Sequence, residues 1–316
     1  MKTKFKIQRF DPKKDSAPRL QEFELEVPQG ATLLDCVNLI KWTQDGTLSY
    51  RMSCRSAICG SCAMRVNGHA RLACKTQAKD VIKNGLVTIE PLGNMKVIKD
   101  LVVDLEPFWE KVEKVMPWLV NDEEVSPEQE RLQSPEEFHK IDAASTCIMC
   151  ASCFSDCCSE EVDKEYLGPT ALAKAQRFVC DSRDRKQQER ITGLSKEKGI
   201  WDCTHCGECS QRCPTDAKPL ERIVELRSVA LNNGVLNNNG VRHAKAFVDS
   251  IAKSGRLNEN ELPVKSMGIF NIKGLLEILP VGIRMLLRGK NPPLIHHSIE
   301  DMEQVKKIFK EFGEPK

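Results

Sequence analysis

The chain lacks the local marks of most enzyme and membrane classes. Its 316 residues contain no G-x-G-x-x-G, no Walker-type phosphate loop, no G-x-S-x-G elbow and no H-E-x-x-H, so neither nucleotide binding nor hydrolysis has local support. No stretch reaches the roughly 20 apolar residues that a bilayer-spanning helix needs. The longest apolar stretch, Ile269 to Leu287, is broken by Lys273, Glu277, Pro280 and Arg284. Met1 to Phe10 lacks the apolar run of a secretory signal, which places the expected thiols in a reducing compartment. An excess of one charge is also missing. The 47 basic and 45 acidic side chains nearly cancel, leaving no long-range field toward nucleic acid or an anionic surface.

Cysteine, by contrast, is abundant. Fifteen are present, most of them separated from the next by two, three or four intervening residues. Three chemistries compete for such a set: disulfides, zinc sites and iron-sulfur clusters. An odd count in a chain of this length fits a disulfide framework poorly.

Hydropathy patterning divides the chain into three regions. Up to about residue 105, short strand-like runs at Lys4–Arg9, Glu22–Val27 and Val87–Glu90 surround one helical stretch, Thr32–Trp42, which reads as a small α+β domain. Met116–Phe138, with Pro117, Pro127 and Pro135, reads as a connector that can hold some helix. From Ile141 to about Leu236 strand signals fade, and helical runs such as Thr170–Asp181 and Leu220–Leu231 alternate with cysteine loops.

The first cysteine group is Cys54, Cys59, Cys62 and Cys74. Its C-x4-C-x2-C spacing with a distant fourth cysteine is that of plant-type ferredoxins, whose thiolates hold a [2Fe-2S] cluster. A four-cysteine zinc site more commonly pairs two C-x2-C knuckles. The loop should aim backbone N–H groups at the sulfurs, and Gly60 suits a close backbone approach. The second and third groups are an internal repeat: Cys147, Cys150, Cys153, Cys157 and then Cys203, Cys206, Cys209, Cys213. Each is the C-x2-C-x2-C-x3-C run of two-cluster bacterial ferredoxins, in which the fourth cysteine of one run serves the other cluster. That swap groups Cys147, Cys150 and Cys153 with Cys213, and Cys203, Cys206 and Cys209 with Cys157. Both clusters can then be [4Fe-4S]. Cys36, Cys158 and Cys180 are left over and read as packing residues, and no catalytic residue is assigned.

The chain resembles the iron-sulfur subunits of the succinate dehydrogenase and fumarate reductase family. SCRSAICGSC, RLAC, TIEPLGNMKVIKDLVVD, CIMCASC, GPTALAKAQRFVCDSRD and CSQRCP carry the resemblance, in the family's order, from about residue 1 to residue 230. It implies an N-terminal β-grasp plant-type ferredoxin domain followed by an all-α bacterial-ferredoxin-like domain. Electrons would pass between a flavoprotein subunit carrying FAD, where the dicarboxylate chemistry occurs, and a membrane quinone of menaquinone type near the distal cluster. Two departures stand out. Most of the family has a non-ligand residue where this chain has Cys206, giving a [3Fe-4S] distal cluster, as would also hold here if Cys206 were not a ligand. The run Cys158, Ser159, Glu160, Glu161, Val162 replaces the usual proline and aromatic stretch of the quinone site. Both departures, and a tail from about Gly274 similar to the small iron-sulfur subunit of heterodisulfide reductases, resemble the type with a cysteine-rich partner.

The expected organisation is therefore residues 1–105 as the [2Fe-2S] domain, 106–240 as the helical domain with two further clusters, and 241–316 as a C-terminal helical extension. Expected partners are the flavoprotein and a membrane-anchor or cysteine-rich heterodisulfide-reductase-like subunit, with no nucleic acid. Those partners would hold the chain peripherally on the cytoplasmic face of the cell membrane. The competing readings are an iron-sulfur subunit of a thiol/disulfide-linked fumarate reductase and, from another class, a zinc-stabilised interaction module.

Overall fold

In Lys2–Arg9 (β1) the side chains alternate, so that Thr3, Phe5, Ile7 and Arg9 are buried while Lys2, Lys4, Lys6 and Gln8 face outward. A computed structural model describes residues 2–124, 126, 128–268, 270–290, 292–293 and 297–312, and β1 lies inside its first sheet. Arg19–Glu26 (β2) pairs antiparallel with β1, setting Phe23 opposite Phe5. Leu33–Thr43 (α1) starts at a capping box in which Thr32 and Asp35 each bond the other's backbone N–H. Its Leu33, Leu34, Val37 and Ile40 join the core with Phe5, Ile7 and Phe23. Ala63–Val66 (β3) and His69–Leu72 (β4) form a hairpin closed by Asn67 and Gly68, both at positive φ as a two-residue turn requires. After the one-turn helix Ala78–Val81 (α2), Leu86–Glu90 (β5) enters between β1 and β3, parallel to β1 and antiparallel to β3. The sheet order is β2-β1-β5-β3-β4. Val97–Lys99 (β6) and Val102–Val103 (β7) form a separate small ribbon.

The rest is helical: Glu106–Lys114 (α3), Pro135–Ser145 (α4), Ser152–Ser155 (α5), Cys158–Val162 (α6), Gly168–Val179 (α7), Gln187–Leu194 (α8), Glu208–Gln211 (α9) and Pro219–Asn232 (α10). α7 is the central helix, packed against α3, α4, α5 and α8. Between α3 and α4 the connector has no regular element, yet it is tied down. The buried Arg190 donates to the carbonyls of Val115 (3.1 Å), Met116 (2.7 Å) and Trp118 (2.8 Å) while paired with Asp184.

The chain forms two compact units, residues 1–227 and 228–316. The second contains Asn239–Ser254 (α11), Glu261–Met267 (α12), Ile272–Leu287 (α13) and Met302–Phe312 (α14), with α11 packed against α12 and α14. His296, to which the sequence gives no role, lies outside the described residues.

Candidate iron-sulfur sites

The loop from Cys54 to Cys62 is bent by Arg55, Ala57 and Gly60, all at positive φ. Such alternation turns successive N–H groups toward one side of the backbone and makes an anion-binding concavity. The N–H groups of Ser56, Ile58 and Cys59 point at Cys54 Sγ (3.3, 3.4 and 3.3 Å), that of Ala57 at Cys74 Sγ (3.3 Å), and that of Cys74 at Cys62 Sγ (3.4 Å). These are donors to sulfur, as thiolates bound to iron require. The thiols also meet in pairs, Cys54 with Cys59 and Cys62 with Cys74.

The two later groups share a backbone pattern as well as a spacing. Met149 and Ala151 flank Cys150 at positive φ, and His205 and Gly207 flank Cys206 in the same way. The fold crosses the groups over. Cys147 and Cys150 lie within electrostatic reach of Cys213, whereas Cys209 feels Cys203, Cys206 and Cys157. Ala217 N donates to Cys213 Sγ (3.3 Å).

The three thiol groups follow one another in space. A Cβ on Gly60 would lie 2.7 Å from Cys150 Cβ, so the first loop touches the second group. Cys153, of that second group, interacts in turn with Cys209 of the third.

Burial governs the ionisation of these thiols. It pushes Cys62 and Cys209 up to about 12 and Cys157 to about 11, and raises Cys153 well above the ordinary range. Cys59 goes the other way, to about 6, through hydrogen bonds from Ser61 and the Cys54 backbone.

Several groups around the thiols are not visible in the spacing pattern. The buried Tyr166 hydrogen-bonds Cys203, and Thr170 on α7 lies 3.0 Å from Cys153 Sγ. From the same helix Lys174 reaches the carbonyl of Cys147 (3.1 Å). Arg227 stacks over Trp201 and donates to the carbonyls of Ile200 (2.9 Å) and Cys203 (2.8 Å), holding the third loop's start. Asn94, itself at positive φ, donates to the carbonyls of Phe154 (2.9 Å), Ser155 (3.2 Å) and Cys157 (3.0 Å). Asp156, half-buried with its side chain largely covered, joins β4 to both repeats, accepting from Ala70 N (2.8 Å) and pairing with Arg65 (3.6 Å) and Arg212 (3.3 Å). GPTALAKAQ and PLGN thus brace the cysteine loops.

Of the remaining cysteines, Cys36 is fully buried under the sheet and Cys180 half-buried at the end of α7. Cys158 differs from a packing residue. It is exposed, and its thiol contacts Thr204 Oγ1 (3.3 Å) and Cys206.

Comparison with known proteins finds cluster-binding families over both cysteine-bearing regions. The 2Fe-2S iron-sulfur cluster binding domain family matches residues 4–110, and the 4Fe-4S dicluster domain family matches residues 143–217. The 8-methylmenaquinol:fumarate reductase iron-sulfur subunit of Wolinella succinogenes is 38% identical over 317 residues, covering 97% of either chain. The fumarate reductase iron-sulfur subunit of Mycobacterium tuberculosis is 40% identical over 230 residues, 72% of this chain and 93% of that protein. A chain of the Mycobacterium smegmatis Sdh1 complex in the apo form superposes with a TM-score of 0.64 at 25% identity, covering 74% of this chain and 97% of that one.

Proposed function

The chain belongs to the iron-sulfur subunits of succinate dehydrogenases and fumarate reductases, and on that premise we propose how its residues divide the work. It carries one [2Fe-2S] and two [4Fe-4S] clusters. Cys54 and Cys59 hold one iron of the binuclear cluster, and Cys62 and Cys74 the other. Cys147, Cys150, Cys153 and Cys213 hold the middle cluster, and Cys157, Cys203, Cys206 and Cys209 the distal one. Pairing and crossover of the thiols support this assignment. Residues 1–105 then act as a β-grasp ferredoxin domain, 106–240 as the bacterial-ferredoxin-like helical domain and 241–316 as an extension.

The observation that carries the relay is the contact order of the thiol groups: Gly60 against Cys150, then Cys153 beside Cys209. Electrons enter or leave at the exposed binuclear loop, where a flavoprotein bearing FAD docks, and leave or enter at the distal cluster beside a menaquinone-type quinone. The third component is a membrane anchor or, as the complete third cysteine run with Cys206 suggests, a cysteine-rich heterodisulfide-reductase-like subunit. These partners hold the chain at the cytoplasmic face of the cell membrane. No helix among the described residues is long and apolar enough to cross one. The thiol-linked and zinc-module readings draw no support from the relatives.

The test is reoxidation. The chain, reduced with dithionite and freed of excess reductant, should keep its bleached spectrum when fumarate is added alone, because it has no dicarboxylate site. With the copurifying flavoprotein present, fumarate should restore the colour. Reoxidation of the isolated chain by fumarate would contradict the assignment.

A further inference from the structure

α13 carries an apolar face that its own unit leaves uncovered. At 3.6 residues per turn, Ile272, Leu275, Leu276, Leu279, Ile283, Leu286 and Leu287 fall within an arc of about 120°. All but the half-buried Leu275 are exposed, up to 82% at Leu287. Phe270, just before the helix, is 90% exposed. The charged residues Lys273, Glu277, Arg284 and Arg288 occupy a separate arc of about 60°. From Lys273 to Lys290, four cations stand against one carboxylate.

We propose that α13 lies in the plane of a bilayer containing anionic lipids, giving this chain a membrane contact of its own beside any made through partner subunits. Three features select lipid. The face is wholly aliphatic, with no hydrogen-bonding group to fix a protein partner, whereas protein interfaces are anchored by aromatic, arginine and hydrogen-bonded contacts in pockets. The cations lie beside the apolar arc on long stems that reach headgroup phosphates while the leucines enter the acyl boundary. Pairing with a second α13 would bring two such cationic flanks together, with Glu277 as the one acid on each. The helix is about 24 Å long and its charges bar it from spanning, so it lies flat.

The test uses the full chain with its clusters loaded and without partner subunits. It should co-sediment with phosphatidylcholine vesicles containing phosphatidylglycerol and far less with phosphatidylcholine alone. Leu276→Glu and Leu279→Glu should each weaken binding roughly tenfold or more. Arg284→Gln with Arg288→Gln should weaken it about fivefold per charge, with added salt acting in the same direction. The visible spectrum of every variant should match the parent, which separates this result from failure of the cluster assignment. The proposal is overturned if the parent fails to bind, if the leucine variants bind equally well, or if anionic lipid makes no difference. It is also overturned if Leu279→Glu converts a dimer into a monomer, since the face would then belong to a second copy.

Discussion

Gly60 shows how one residue couples neighbouring thiol groups. Its φ of +74° and the 2.7 Å approach to Cys150 leave no room for a side chain. Gly60→Ala should destabilise the protein by roughly 1–3 kcal/mol, as an overpacked contact does, and should slow electron passage from the binuclear cluster, checked by rapid-mixing absorbance. Normal stability and transfer in that variant would mean that the loop does not rest on Cys150. The crossover gives a second expectation. Cys213→Ala should damage the cluster of Cys147, Cys150 and Cys153 and spare that of its sequence neighbours, read by electron paramagnetic resonance after reduction. Cys206 must be tested together with Cys158, whose thiol contacts it. In the Cys158→Ala background, Cys206→Ala should leave a three-iron centre with a signal in the oxidised state. The ligand spacing was legible because cluster chemistry demands it. The position of Cys158 was not, because its contact with Thr204 spans 46 residues.

Elements were legible where their pattern was long. Three strands and α1 match the alternating runs and the helical run to within a few residues. The β3–β4 hairpin escaped because its strands have only four residues each and adjoin the cysteine loop, although Asn67-Gly68 is a hairpin signal. GPTALAKAQ could be recognised as a family element, but its physical reason needed the fold: Thr170 and Lys174 face cysteines on one side of α7 while Gln176 donates to the carbonyl of Lys140 (2.9 Å). Asn94 in PLGN is the comparable brace at the first unit's other edge. Asn94→Ala removes donors to three carbonyls and should cost about 1–3 kcal/mol, measured by denaturant unfolding. Loss of cluster absorbance should begin at lower denaturant than in the parent, because those carbonyls belong to the loop ending in Cys157.

For the whole molecule, cluster loading has a pH dependence of known sign. Burial holds Cys62, Cys153, Cys157 and Cys209 above the ordinary thiol range, so these groups keep their protons at neutral pH without iron. Bound thiolates have lost them. Loading must therefore release protons and become more favourable as pH rises toward those values, with Cys59 contributing least because it ionises near 6. An indicator dye in weak buffer should acidify during anaerobic reconstitution, and no acidification would contradict the buried-thiol account. The central claim is that twelve of the fifteen cysteines build three clusters, the last with four irons. Iron and sulfide analysis of anaerobically prepared protein, combined with spin-counted paramagnetic resonance, tests it directly. The account predicts about ten irons per chain, from two, four and four, with no three-iron signal in the oxidised state. About nine irons with that signal at one spin per chain, or zinc in place of iron, would contradict it.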